Sequence, residues 1–223
     1  MIDKNIIEAE VVSCIALCIN DFNYGKKEVL ITNITNAVLL EFISSFSGVE
    51  VHYIGEIASK INGDGFANNN IDSKNNSNKS TDIKAASIRA NSKTMEMRNL
   101  QVYDFAINLR VNKFDVIIDL DNKTTKPYNE LLKDNGIAII NLKDLESSSL
   151  DIIKEADFKI RMPFRIEDKY YLFLSNRFHP LADICLQKID LLNDLKYYNA
   201  KIHEAVFALP NYRKEALKGI ARN

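Results

Sequence analysis

The chain has 223 residues, of which 46% are apolar and 26% charged, and its formal net charge is -1. That length and apolar content suit one full-sized core, and near neutrality argues against a polyanion or an acidic membrane surface as partner. The acidic N-terminus MIDKNIIEAEVV does not read as a secretory signal, and no apolar run approaches the ~20 residues that span a bilayer, so a soluble cytoplasmic protein is expected.

Residues Ile6 to Ile19 predict a helix with a broad apolar face. Cys14 and Cys18 share that face at i, i+4 spacing and read as core packing. With Cys185 they make three cysteines, which cannot all pair, and no Cys/His cluster has zinc-site spacing. The charged turn after this helix leads to a strand at Val29–Thr32, a helix at Ala37–Phe46 stopped by Gly48, and a strand at Val49–Ile54. Residues 62–93 are rich in Asn, Ser and Lys with little to bury, and predict a disordered insertion in one 1–223 domain. Strand character returns at Leu100–Tyr103 and, as a continuous apolar run covered on both faces, at Phe114–Asp119. A helix at Tyr128–Lys133 is expected to end at Asn135-Gly136, before a buried strand at Ile137–Asn141. A helix at Leu150–Glu155 follows. Phe158–Met162 and Tyr170–Ser175 suit an antiparallel pair, because PFRIEDK is too short for a crossover. From Leu181 to Leu217 the chain reads as helical with one break at Pro210.

The alternation of strands and helices predicts an α/β fold, a doubly wound and mostly parallel sheet with an antiparallel edge hairpin. Ligands of such sheets lie beyond the carboxyl ends of the strands, so the residues there are the site candidates. After the first strand stand Asn33 and Asn36, which tolerate turn conformations but replace the usual glycines. Gly63-Asp64-Gly65 reads as a flexible hinge rather than a phosphate or metal loop. Glu56 could accept both hydroxyls of a ribose or serve as a helix N-terminal acid, and Asp104 could accept from an adenine amino group or cap a helix. Asp119 and Asp121 share one face of the fourth strand, with Leu120 on the other. Carboxylates at three strand ends describe a pocket for a cationic, hydroxyl-bearing ligand.

The C-terminal stretch LLNDLKYYNAKIHEAVFALPNY resembles the end of the spermidine synthases (polyamine aminopropyltransferases), matching a YYN-x-x-IH-x-A-x-F-x-LP pattern at Tyr197, Tyr198, Asn199, Ile202, His203, Ala205, Phe207, Leu209 and Pro210. Weaker likeness runs through Phe178-His179-Pro180-Leu181, the FDVII strand, Asp104 and Glu56-Ile57. The resemblance implies a fold like that of the class I methyltransferases (Rossmann-like) and transfer of an aminopropyl group from decarboxylated S-adenosylmethionine to putrescine. It implies small-molecule substrates, with decarboxylated S-adenosylmethionine as co-substrate, no metal or other cofactor, no nucleic acid and no membrane, and it allows a homo-oligomer. Glu56 then matches the ribose ligand, Asp104 the adenine ligand, and Glu10 the Glu of the family's Y-H-E helix. The departures are specific. The family's G-G-G-D-G loop becomes Asn33 to Ala37, its catalytic Asp falls on Leu120, and the Tyr and His of Y-H-E fall on Glu8 and Ala9. The chain starts at the helix that follows the family's β-rich N-terminal domain, which is therefore expected to be missing. Asp121, or second Asp119, is expected to replace the catalytic Asp. The alternative is a weak or inactive homologue kept as a ligand-binding or subunit-interaction module, while a methyltransferase would leave the C-terminal signature unexplained. On the residues alone, His203 reads as a packing histidine.

Overall fold

The computed structural model describes residues 2–19, 26–32, 36–54, 81–83, 86–90, 93–97, 100–103, 114–120, 128–192 and 194–221. Along the chain they form helix α1 (Lys4–Leu17), strand β1 (Lys27–Thr32), α2 (Ala37–Ser44), β2 (Val49–Ile54), β3 (Thr81–Ile83), β4 (Ala86–Ala90), β5 (Lys93–Met97), β6 (Leu100–Tyr103) and β7 (Phe114–Asp119). Then come α3 (Tyr128–Leu131), β8 (Leu132–Leu142), α4 (Ser147–Glu155), β9 (Ile160–Ile166), β10 (Lys169–Ser175), α5 (Leu186–Asp190), α6 (Ala200–Val206) and α7 (Asn211–Ala216). Among the described residues no helix is long and apolar enough to cross a membrane.

Eight strands make one sheet in the order β3-β6-β2-β1-β7-β8-β10-β9. The pairs β6–β2, β2–β1, β1–β7 and β7–β8 are parallel, while β8–β10, β10–β9 and β3–β6 are antiparallel. This is the expected doubly wound sheet with its edge hairpin. Alternation along the strands separates two cores. Val29, Ile31, Val51, Val116, Ile118, Ile139, Tyr171 and Phe173 pack with α1, α2 and α6 on one face. Leu30, Ile117, Ala138, Ile140, Leu172 and Leu174 pack with α3 and α4 on the other. Four of the six residues of β7 are fully or almost fully buried apolar side chains at its core positions, as a central strand requires.

Four expectations are corrected. The insertion does not run disordered to 93: residues 81–83 add an antiparallel strand to β6, and 86–90 pair with 93–97. An exposed sheet edge offers unpaired N–H and C=O groups, and backbone pairing can order a polar segment that has little side chain to bury. Residues 62–80 lie outside the described chain. The helix at 128 makes a single turn, and Gly136 lies inside β8 rather than past a helix end. A Cβ at Gly136 would stand 2.7 Å from a methyl of Leu132 and 2.9 Å from the Lys133 carbonyl, so close approach explains this glycine. The hairpin loop is tighter than PFRIEDK suggested, because β9 and β10 extend into it and leave Glu167 and Asp168 as the turn, Glu167 at φ 52°. Pro163 is tolerated within β9 because that strand is the sheet edge. Finally, the C-terminal segment is three short helices rather than two long ones. Asp194 takes φ 67°, Asn199 caps α6 through its side chain, and Pro210 precedes α7, each interrupting the i to i−4 ladder.

The core assignment is checked by substitution. Ile118→Ala, at a fully buried site of the central strand, should cost about 2–5 kcal/mol and lower the melting temperature by several degrees. Leu191→Ala, at a residue 77% exposed, should shift it by less than about 2 °C.

Candidate active site at the carboxyl ends of the strands

Four adjacent parallel strands, β6, β2, β1 and β7, end on one edge of the sheet, and the winding reverses between β1 and β7. A crevice outside such a reversal is where doubly wound sheets take their ligands. The last residues of the two strands, Thr32 and Asp119, are register partners. The Thr32 hydroxyl donates to Asp119 Oδ1 at 2.6 Å, and the Tyr128 hydroxyl donates to Oδ2 at 3.1 Å. Asp119 is fully buried, so this carboxylate is held by the fold rather than presented to solvent. Sequence reasoning missed Thr32 and Tyr128, since only strand order reveals which strand lies beside β7.

Leu120, the position of the resembled family's catalytic Asp, is partly buried against the core on the α1 and α2 side. Strand alternation thus separates Asp119 and Leu120 as expected. Asp121, Asn33, Glu56 and Asp104 lie outside the described residues. In sequence each follows, by one or two positions, a strand that ends on this edge: β7, β1, β2 and β6 in turn.

On the opposite face of the same edge, α1 brings two buried glutamates. Asp3 starts this helix by accepting from the Asn5 N–H. Glu8 accepts from Tyr171 on β10, from Lys169 Nζ at 2.9 Å and from Asn36 Nδ2 at 3.0 Å. Asn36 also donates to the Asn5 carbonyl at 2.9 Å, and its Oδ1 caps α2 by accepting from the Val38 N–H at 3.1 Å. Burial alone would push the Glu8 carboxyl up, but the hydrogen bonds from Tyr171, Lys169 and Asn36 outweigh it and hold its pKa below 4.5. Tyr171 is correspondingly pushed up, first by burial and then by Glu8. The signal for this network in the sequence is a pair of acids inside the apolar helix IIEAEVV.

Glu10, expected as a substrate-binding residue from its match to the Y-H-E helix, has internal backbone partners in the fold. It is 2% exposed, and its two oxygens accept from the backbone N–H groups of Lys196, Tyr197 and Tyr198 at 2.8, 2.8 and 2.9 Å. A carboxylate ringed by three donors inside the protein has little left for a ligand. Within the YYN-x-x-IH segment, Tyr198 and His203 are buried. His203 Nε2 contacts the Pro180 carbonyl at 2.8 Å and Nδ1 the Tyr198 hydroxyl at 2.5 Å, and burial lowers the histidine's pKa.

Among the described residues, one group of potential metal ligands comes together, Glu28, Glu50 and His52, with ligand atoms within 4.8 Å of one another. It lies toward the amino ends of β1 and β2, away from the site edge. Glu28 pairs with His52 and Glu50 with Lys26, so ion pairing accounts for the grouping.

Glu8 gives a pH test. Because its folded pKa is lowered, its stabilisation is present above pH 4.5 and fades as pH falls through the folded value. Glu8→Gln should therefore lower the melting temperature by several degrees at pH 7, the scale of about 1–3 kcal/mol for hydrogen bonds to a buried charge. The gap from wild type should narrow below pH 4.5. A pH-independent gap would show that the charge of Glu8 contributes nothing.

No known family profile matches the chain. It is 35% identical over 125 residues to the polyamine aminopropyltransferase of Helicobacter acinonychis (strain Sheeba), covering 50% of this chain and 48% of that protein. It is 33% identical, with the same coverage, to the polyamine aminopropyltransferase of Helicobacter pylori (strain HPAG1). The chain thus spans about half the length of the curated relatives it matches. In fold it is similar to spermidine synthase from Thermotoga maritima, with a TM-score of 0.61 at 19% identity over 97% of this chain and 75% of that one. It is also similar to a spermidine synthase in complex with the transition state analogue AdoDATO, with a TM-score of 0.63 at 18% identity over 97% and 76% of the two chains. The chain is a divergent, partial sequence relative of the polyamine aminopropyltransferases and carries the α/β fold of the spermidine synthases.

Proposed function

We propose that this protein is an aminopropyltransferase that moves the aminopropyl group of decarboxylated S-adenosylmethionine to putrescine. What supports this reading is the likeness to enzymes of that name combined with acidic residues that follow, in sequence, the strands ending around the β1/β7 reversal. The donor's sulfonium and the acceptor's ammonium are both cations, so carboxylates at that edge suit them. Glu56 and Asp104 are proposed to receive the ribose and the adenine, beside the turn at Asn33. The attacking amine, with a solution pKa of roughly 10, must lose a proton before its nitrogen can attack the carbon next to sulfur.

Asp119 is fully buried and already accepts from two hydroxyls, so its proposed part is to fix the strand end as a positioning residue. The base, or the anchor of the amine, is then Asp121. Leu120 cannot accept a proton, and its place where the resembled family has a catalytic Asp favours a second reading, a homologue that binds the donor without turning it over.

One pair of measurements separates the two. Incubation with decarboxylated S-adenosylmethionine and putrescine should yield spermidine and methylthioadenosine by mass spectrometry. Methylthioadenosine at 100 times its Kd should stabilise the fold by about 2.7 kcal/mol. Stabilisation without spermidine would select the binding module, and neither would overturn both readings. If the enzyme reading holds, Asp121→Asn should cut turnover about 100-fold or more. Leu120→Asp should raise it. Glu56→Gln should weaken methylthioadenosine binding by about 1–3 kcal/mol with little effect on stability.

A further inference from the structure

Helix α1 ends in Cys18, whose carbonyl accepts from the Cys185 N–H at 2.7 Å. One residue on, Ile19 faces Ile184 in an isolated antiparallel bridge. In antiparallel pairing the residue before Ile19 stands opposite the residue after Ile184, which sets Cys18 opposite Cys185. A Cα lies about 2.4 Å from its own carbonyl oxygen and about 1.46 Å from its own nitrogen. The 2.7 Å hydrogen bond from the Cys185 N–H to the Cys18 carbonyl therefore keeps the two Cα atoms within about 6.6 Å, inside the ~4.4–6.8 Å range that a disulfide spans. A second tie holds the same segments together, because Lys188 Nζ donates to the Ile19 carbonyl at 2.8 Å. Cys14 is the only other thiol of the chain. It lies one helical turn before Cys18, and Cβ atoms at that spacing stand about 5–6 Å apart, too far for the ~3.5–4.5 Å that a disulfide needs.

Accessibility and acidity divide the roles. Cys185 is half-buried and open to a small reagent, whereas Cys18 is 1% exposed. The hydrogen bond with Cys14 holds the Cys18 thiol down and the Cys14 thiol up, and the charges of Lys188 and Lys27 also act to lower Cys18.

We propose that Cys18 and Cys185 form a reversible intramolecular disulfide by exchange with a low-molecular-weight disulfide such as oxidised glutathione. The Cys185 thiolate attacks one glutathione sulfur, which forms a mixed disulfide and releases the first glutathione thiolate. The Cys18 thiolate then attacks the Cys185 sulfur, the mixed disulfide breaks, and the second glutathione leaves. The two protons lost by the cysteines end on the two released glutathiones, so the protein is oxidised by two electrons and the reagent reduced by two. The bond would tie the end of α1 to the start of α5, with every strand of the sheet inside the closed loop. Glu8 lies ten residues before Cys18 on α1, about 15 Å along the helix, so the bond forms at the end of the molecule away from the candidate site.

The test is peptide mapping after incubation with oxidised glutathione. Trypsin should release the peptide that follows Lys4 joined to the peptide that follows Arg177, with a mass two hydrogens below their sum. Because the first peptide holds both Cys14 and Cys18, the joined species should persist in Cys14→Ser and vanish in Cys18→Ala and Cys185→Ser. Closing so long a loop should raise the melting temperature by on the order of 5 °C, and dithiothreitol should reverse the rise. A joined species that survives in Cys18→Ala, a glutathione adduct on Cys185 that never resolves, or an unchanged protein would each overturn the proposal.

Discussion

Two carboxylates buried in one helix constrain much of this molecule. An apolar helix can sink between a sheet and its covering elements on hydrophobicity alone, but a helix that carries Glu8 and Glu10 inward must bring donors to both. Glu8 recruits Asn36 at the start of α2 together with Lys169 and Tyr171 from the edge hairpin. Glu10 recruits three consecutive backbone N–H groups at 196–198. Segments from the first, third and last parts of the chain thus meet on one helix. If a donor segment left, a charge would remain unpaired in the core, a loss far larger than that of a packing contact.

This arrangement bears on the site, because Asn36 caps α2 directly after the end of β1. Asn36 therefore belongs to two networks at once. It fixes the helix that follows the first strand, and it is itself fixed by Glu8 and the Asn5 carbonyl. On the other face of the sheet, Thr32 and Tyr128 hold Asp119. The strand ends around the β1/β7 reversal are braced from both faces, which is the preorganisation that a substrate-positioning site requires.

The structure also separates packing from chemistry within the residues that carry the family resemblance. The YYN-x-x-IH segment is specific as a pattern, yet its members cap α6, fill the core or bond to one another: Asn199 accepts from two N–H groups, and His203 lies between Tyr198 and Pro180. At its start, the backbone N–H groups of residues 196–198 bind the end of the chain to α1 through Glu10. The resemblance in this segment therefore speaks first to fold.

Sequence alone determined the alternation of elements and the central place of FDVIID, because buried strands and helices carry their periods in the residues themselves. It also pointed to the edge that carries the candidate site, since strand ends follow from strand positions. It did not determine the partners of any buried acid. Glu10 read as a substrate-binding residue, and only the packing of residues 196–198 against α1 showed that backbone N–H groups bond its oxygens. The joining of residues 81–83 to the sheet was hidden for a related reason, as backbone pairing leaves almost no mark on composition. The Thr32–Asp119 pair and the Cys18–Cys185 apposition needed the tertiary structure most of all. Their members stand 87 and 167 positions apart, and contacts at such separations are set by strand order and helix docking rather than by local periodicity.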